Sequence, residues 1–545
     1  MIDSITHEEM PPEDEPQPTH SEIRNFIKSL QPKQQATPSL THRSDFFRRF
    51  NSVEYKTTVM NLLELPKTTL KPTLSFPNDN NHEGSNKQWD HLTTSEFLLQ
   101  SLIESADLLI EKAITFKEKP PAQKWSSLPL AQMHFETKNK KRTGYIHLFN
   151  KNYYSYLPKM REGVPHDGYY EIVVEAQSMY RHNQYHKFTK LDPDVPAQLG
   201  LSSSSLQYGP NLHRPQNGST QLAVNILKGS RLNTIKNKVW LYKGDVPRVN
   251  YDNGVLDWRM TGFRIIEAQG VSYKNEHISS TEYKGDRTIS FFPQIISEEE
   301  YPKIKISNMS IEGPLYKNWP PKSHSKWFGK KSNFTAEESW QAILKFSREA
   351  FRRPINKFEA ENFKTVLNES IARGESLGQA TKEVFKTILC MPDFLYLFLN
   401  PDQSVEKKIQ ERLSTFLWSQ PYETRNKKTP IQQRVIEMLD DDRSWNFIKG
   451  FLSDWLKLDT LGQMAPDKSL FPTFYIDNLK VAMQKETELL FAYCLKNNLS
   501  IENLIDNDFS FVNKDLCRHY GIDPSGIDWR HLPDGLKDSD LFLRG

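Results

Sequence analysis

The feature that most constrains this chain is a change of hydrophobic period. Through the middle third, apolar side chains alternate in steps of two; on either side they recur in steps of three to four. The first pattern builds half-buried strands and the second amphipathic helices. In Tyr169 to Gln177 (YYEIVVEAQ), Tyr170, Ile172, Val174 and Ala176 oppose Glu171, Val173 and Glu175. Gln221–Leu227, Lys238–Tyr242, Thr261–Glu267, Thr288–Phe292 and Lys303–Glu312 also read as strands. Turn signals such as Asn217-Gly218 and Asp252-Asn253-Gly254 separate them. Many short strands with long polar loops favour an antiparallel β-sandwich.

Outside this centre the helical period predicts Phe46–Leu65, stopped by Pro66, and a stronger helix over Thr94–Ile114. The latter sets Phe97, Leu98, Leu102, Leu109 and Ile110 on one stripe. After Trp319-Pro320-Pro321, a Thr335–Glu338 capping box opens a helix whose Trp340, Ile343, Leu344, Ser347 and Phe351 form its buried face. Asn356 with Glu359 starts the next, and Gly374 ends it. Further helices are predicted at Leu377–Leu389, Val405–Trp418, Pro430–Leu439, Ser444–Leu456, Asn478–Asn497 and Ser500–Leu504. A length of 545 residues exceeds one core. The expectation is therefore a multidomain α+β protein: residues 1–40 a disordered tail with a short helix, 41–120 an N-terminal helical domain, 121–318 a β-sandwich, and 319–545 an all-α helical bundle.

Several function classes lack support. Lys plus Arg (71) nearly cancels Asp plus Glu (68), which is not the clustered basic face of a nucleic-acid binder. The dense run Lys138 to Arg142 reads as a solvated loop. Cys390, Cys494 and Cys517 are too scattered for a disulfide framework, a Cys-x-x-Cys pair or haem attachment. No stretch approaches the roughly 18 apolar residues of a membrane span. Gly329-Lys330-Lys331-Ser332 has His324 where a phosphate loop needs its first glycine. Gly374 to Gly378 (GESLG) follows a helix rather than a strand, so Ser376 belongs to a helix–helix loop and not a nucleophile elbow. His182 and His186 have helical spacing but lack a third ligand, and no metal site is assigned. No catalytic motif emerges.

The binding candidates come from the aromatic concentration in the centre. Tyr153, Tyr154, Tyr156, Trp240, Tyr242, Tyr251 and Trp258 would offer flat platforms for sugar rings, with Asp252, Asn253 and Asp257 as hydrogen-bond partners or oxygen ligands for calcium. The competing reading places these aromatics in the core.

Five segments carry a family likeness: RRFNSVEYKTTVMNLLEL, SIEGPLYKNWPPKSH, FSREAFRRPI, ILCMPDFLY and RLSTFLWSQP, in this order from Arg48 to Pro421. They resemble the signature motifs of planctomycete-type multidomain proteins of unknown function. The resemblance implies a carbohydrate-binding-like sandwich in the centre, a haem c domain commonly preceding it, and further modules after it. It implies an extracytoplasmic, periplasmic location, polysaccharide as ligand and a cytochrome c-type partner, but no reaction. WSQPYETRNKKTP departs from the family's acidic continuation. The acidic, Pro-rich N-terminus has no signal-peptide pattern, and Asp534–Gly545 stops where the family continues, so a truncated reading frame with a lost export signal is expected. The chain itself is expected to hold no cofactor other than calcium.

Two functions stay open. One is an uncharacterised extracytoplasmic binding or scaffold protein that holds polysaccharide through its sandwich beside a cytochrome. The other is an enzyme of unrecognised type acting on glycans, in a cleft between sandwich and bundle lined by Glu312, His324, Arg352 and Asp393.

Overall fold

The computed structural model describes residues 47–79, 94–126, 146–255, 301–398, 404–421 and 429–523, with short gaps inside the longer runs and a few isolated positions besides. The expectations for 1–40, Lys138–Arg142 and Thr288–Phe292, and those for Thr261–Glu267 beyond Thr261 itself, lie outside these residues.

The helical region opens differently from its sequence prediction. Phe47–Arg49 is a strand (β1), and the helix (α1) runs only from Ser52 to Leu62. Asn51 and Glu54 form a reciprocal capping box at its start. A helix from Phe46 fails because those three residues find a partner far along the chain. They pair antiparallel with Tyr396–Phe398, Arg48 opposite Leu397. Local periodicity carries no trace of such a ladder. The second helix (α2, Glu96–Ala113) meets expectation, capped by Ser95, with Leu98, Leu102, Leu109 and Ile110 buried. Phe97 is the exception, 63% exposed.

The centre is strand-built. β2 (Gln123–Ser126), β3 (Ile146–Leu148), β5 (Gly168–Met179), β8 (Leu232–Leu241) and β10 (Lys303–Gly313) form one antiparallel sheet, in which β10 pairs with β2, β3 and β5, and β5 with β8. β4 (Ser155–Tyr156), β9 (Val246–Tyr251), β6 (Gln198–Ser204) and β7 (Thr220–Ile226), in that spatial order, form a second antiparallel sheet. One hydrophobic cluster takes side chains from both: Tyr170, Ile172, Val174 and Ala176 of β5, Leu199 and Leu201 of β6, Val249 and Tyr251 of β9, and Ile304, Ile306, Met309 and Ile311 of β10. Burying each large side chain contributes about 1.5–3 kcal/mol. β6 (QLGLSSS) and β9 (VPRVNY) are not among the predicted strands; both faces are buried, and the face away from the cluster buries polar side chains such as Ser202, Arg248 and Asn250.

The helical period returns in α3 (Lys322–Phe328), α4 (Ala336–Phe351), α5 (Lys357–Ala372) and α6 (Leu377–Cys390), with the expected capping boxes at Thr335/Glu338 and Asn356/Glu359. Ser376 caps α6 by accepting from Gln379 N–H, a structural role for the Gly-x-Ser-x-Gly segment. α6 packs on α2, α4 and α5, and the Phe346 and Phe385 rings stack at 4.0 Å. Phe50, Tyr55 and Val59 join Leu102, Leu109, Ile343, Phe346, Phe385 and Ile388 in one cluster. A single core thus spans helices read from opposite sides of the sheets. The later helices α7 (Val405–Trp418), α8 (Ile431–Asp440), α9 (Trp445–Leu456) and α10 (Leu479–Lys496), with the shorter α11 (Lys514–Tyr520), build clusters of their own.

Two arginine pairs hold the shared core. Arg48 grips Glu54 through both carboxylate oxygens at 2.6 and 2.7 Å, and Glu54 is fully buried. Arg49 pairs with Asp79 at 3.1 Å. Removing one partner of a buried pair leaves an uncompensated charge. Glu54→Gln is therefore expected to cost about 3–5 kcal/mol in urea unfolding, and Arg48→Met with Glu54→Leu to recover part of the loss.

Candidate functional site

Most of the aromatic residues singled out in the sequence fall into three places. Tyr242 directly follows β8 with its ring in the helical core, 3% exposed, and its hydroxyl donates to the Pro66 carbonyl at 2.9 Å. It is a joint between sheet and helices and not an open platform. Asp245 strengthens this joint: its Oδ2 accepts from the Thr69 hydroxyl and, at 2.7 Å, from the Tyr242 N–H. Nearby, Lys112 pairs with Asp167 at 2.8 Å.

Tyr153, Tyr154 and Tyr156 lie beside the second sheet. Tyr153 stacks between Phe149 and His213, at 6.2 and 5.3 Å. Tyr156 is buried and tilts against His213 at 4.9 Å. Tyr154 covers the guanidinium of Arg248 at 4.0 Å. His213 Nδ1 and its backbone carbonyl both bond the Tyr154 backbone. These rings seat the loop before β7 on the sheet. Arg248 itself drew no attention in the sequence, although VPRVNY places it on one strand face with Val246 and Asn250.

Asn253 is committed to backbone: its Oδ1 accepts from Gln198 N–H and its Nδ2 donates to Pro196 O, both at 2.8 Å. Asp252 Oδ1 accepts from Gln221 at 2.9 Å. These two side chains do not by themselves make a calcium site, and among the described residues no group of three or more His, Cys, Asp or Glu is placed to hold a metal. Trp258 and Asp257 lie outside the described residues.

Trp240 belongs to the third place. It meets Tyr169 edge-on at 5.1 Å and Tyr316 at 6.2 Å, and Tyr316 meets Trp319 at 4.8 Å. Beside these rings lies a groove of about 450 Å³, lined by Lys119, Lys238, Lys317, Tyr316 and the prolines at 120, 121 and 314. Lys119, Lys238 and Lys317 are exposed. Sequence reading missed it because its walls come from the segment after α2, from β8 and from the segment after β10, three parts that no motif links.

The four proposed cleft residues do not share one surface. Glu312 stands on the outer sheet face, directly opposite Glu171 on β5 and Lys124 on β2. His324 is fully buried against Phe116 and Phe328, at 5.3 and 5.2 Å, and burial pushes its imidazole pKa down. Arg352 and Asp393 do meet, through the Asp393 backbone carbonyl at 3.2 Å. Arg352 also donates to Tyr396 O at 3.0 Å, and burial lowers its pKa to about 10. Neighbouring Arg353 grips Glu359 at 2.6 and 3.0 Å and also reaches Asp393 Oδ1. These bonds anchor the turn before Tyr396–Phe398.

Three family profiles match the chain, each a protein of unknown function: DUF1587 over residues 48–115, DUF1595 over 340–398 and DUF1592 over 407–522. The chain carries three planctomycete cytochrome-associated domains. The first two share the helical core, the third covers the later helices, and both sheets lie between the first match and the second. The sequence matches no curated protein. No helix among the described residues is long and apolar enough to cross a membrane.

The joint at Asp245 gives a pH signature. Burial pushes its carboxyl up to about 6 from the ordinary 3.8, against the hydrogen bonds from Thr69 and Tyr242. A raised folded-state pKa favours folding when the group is protonated, so this contribution is complete below about pH 4 and is lost as pH rises through about 6. Asp245→Asn keeps an acceptor for both donors and removes the titration. Scanning calorimetry is expected to show a higher Tm for the variant near pH 7.5 and no gain near pH 4.

Proposed function

We propose that this protein is a non-catalytic, extracytoplasmic binding protein that holds polysaccharide in the groove beside Tyr316, with a cytochrome c-type partner as its neighbour. The groove is the observation that carries the reading. Sugar rings have apolar faces that pack on aromatic rings, and their hydroxyls accept from lysine ammonium groups. Tyr316, which lines the groove and is held edge-on between Trp240 and Trp319, meets the first need, and Lys119, Lys238 and Lys317 the second. A volume of about 450 Å³ suits one or two sugar units and falls in the usual range of ligand sites. Two antiparallel sheets closing on one cluster support the reading of the centre as a carbohydrate-binding-like sandwich. The cytochrome-associated domains on either side support a redox neighbour and a location outside the cytoplasm.

A second reading, a glycan-acting enzyme, has one observation in its favour. Glu171 and Glu312 stand directly opposite each other on adjacent strands, and Lys238 of the groove stands opposite Glu171 on the next strand. Two carboxylates flanking a bound sugar are what glycoside hydrolysis uses. New reducing ends that appear with the wild type and vanish in Glu312→Gln would favour it over simple binding.

The binding reading is tested with the full chain and a panel of soluble neutral and acidic polysaccharides in affinity electrophoresis. Tyr316→Ala and Trp319→Ala are each expected to weaken retardation about tenfold, the value of one lost aromatic contact. Equal mobility of wild type and both variants on every polysaccharide would overturn it.

A further inference from the structure

The strand β9 buries both of its faces for different reasons. Val249 and Tyr251 point into the cluster between the sheets, whereas Val246, Arg248 and Asn250 occupy the opposite face and are equally buried. Arg248 has no measurable exposure. Its Nη1 donates to the carbonyls of Leu212 and Arg214, at 2.8 and 2.9 Å, and one side of its plane is covered by Tyr154 at 4.0 Å. Nε and Nη2 have no partner. No carboxylate among the described residues pairs with this guanidinium. Across the ladder Ser202 of β6 stands directly opposite Arg248, 6% exposed, and its hydroxyl is also unpartnered.

The two idle donors are not arbitrary. Nε–H and one Nη2–H point the same way along a single edge of the guanidinium, and this edge takes a carboxylate or sulfate with two parallel hydrogen bonds. Buried polar groups are ordinarily satisfied, and a buried charge is ordinarily paired. An arginine with one nitrogen tied to two loop carbonyls is held in place with its fork edge still free. Burial lowers its pKa only to about 10, so it remains a cation at neutral pH.

We propose that Arg248 and Ser202 form a binding site for one oxyanion group, a carboxylate or a sulfate, held by the Nε/Nη2 edge and the serine hydroxyl beneath the loop from Gly209 to Gln216. The same chemistry has two sources: a free small anion, or the acidic group of a uronate or sulfated sugar. The second source rests on the polysaccharide reading; the first does not. The loop above the site is pinned by Leu212, which packs against Tyr156 and Val246, and by Gln216, whose amide nitrogen donates to Gly209 O at 2.7 Å. A free ion needs only a brief opening of this cover, whereas a sugar must displace it.

The test uses the full chain and follows the thermal unfolding midpoint in sodium sulfate and sodium acetate against sodium chloride at equal ionic strength, and separately with an acidic oligosaccharide. A ligand that binds only the folded protein raises its midpoint. The wild type is expected to gain several degrees, at least half of which is lost in Ser202→Ala. Arg248→Lys keeps the charge and loses the fork, so it is expected to show no gain, and a stability comparison in chloride establishes that it folds. Lys238→Ala and Tyr316→Ala, which lie at the groove, are expected to respond to sulfate and acetate as the wild type does. Failure of the polysaccharide reading is therefore separable from failure of this one. A response to the free anions assigns the site to a small ion; a response to the oligosaccharide alone that is kept in Tyr316→Ala and lost in Arg248→Lys assigns it to an acidic sugar. An equal response of wild type and Arg248→Lys, or no response of the wild type to any of the three ligands, would overturn the proposal.

Discussion

The ladder between Phe47–Arg49 and Tyr396–Phe398 is the constraint on which the rest of the fold depends. It is only three residues long, and a strand pair of that size does not stand alone in water. Both ends are fixed by arginines, one buried and one half-buried. Arg48 ties the first strand to the capping box of the helix that follows, through Glu54, and Arg352 ties the second by donating to the carbonyls of Asp393 and Tyr396. Arg352 adopts a left-handed backbone at the end of its helix, a conformation uncommon outside glycine, which the side chain's own bonds hold in place. With the ladder closed, Phe394 packs against Phe50 and Tyr55, and the first two matched domains become one core.

This arrangement recasts the signature motifs. The Arg-Arg pairs near residues 48 and 352, with Asn51, Glu54 and Asp393, secure the two strands of a long-range joint. Their chemistry is ion pairing and capping. The sheets emerge from this core and return to it, and Tyr242, Asp245 and Lys112 fasten them at the exit. Aromatic residues near such a junction serve two masters. Tyr242 and Tyr156 are sealed inside, whereas Tyr316, Trp319 and Tyr169 remain at the surface where three chain segments meet.

The buried arginine of β9 shows a further consequence of strand packing. Once Val249 and Tyr251 face the inter-sheet cluster, alternation forces Arg248 and Asn250 to the other face. The loop before β7 then closes over them, and a cation is left inside with two idle donors. A strand in which every residue is buried conceals this from any reading of hydrophobicity.

What could be read from residue order alone is the local architecture. Helices with caps and stripes, such as Thr335–Glu338 leading into Ile343 and Phe346, and strands with clean alternation, such as Tyr170 to Ala176, are encoded by neighbours within one or two turns. Motif order likewise pointed to the domain family. The joining of the first helices with those after residue 336, the strand at Phe47, the groove beside Tyr316 and the idle edge of Arg248 were decided by tertiary structure alone. Each depends on contacts between residues far apart in the chain, and such pairings leave no periodicity behind; they exist only once burial has forced distant polar and aromatic groups to find one another.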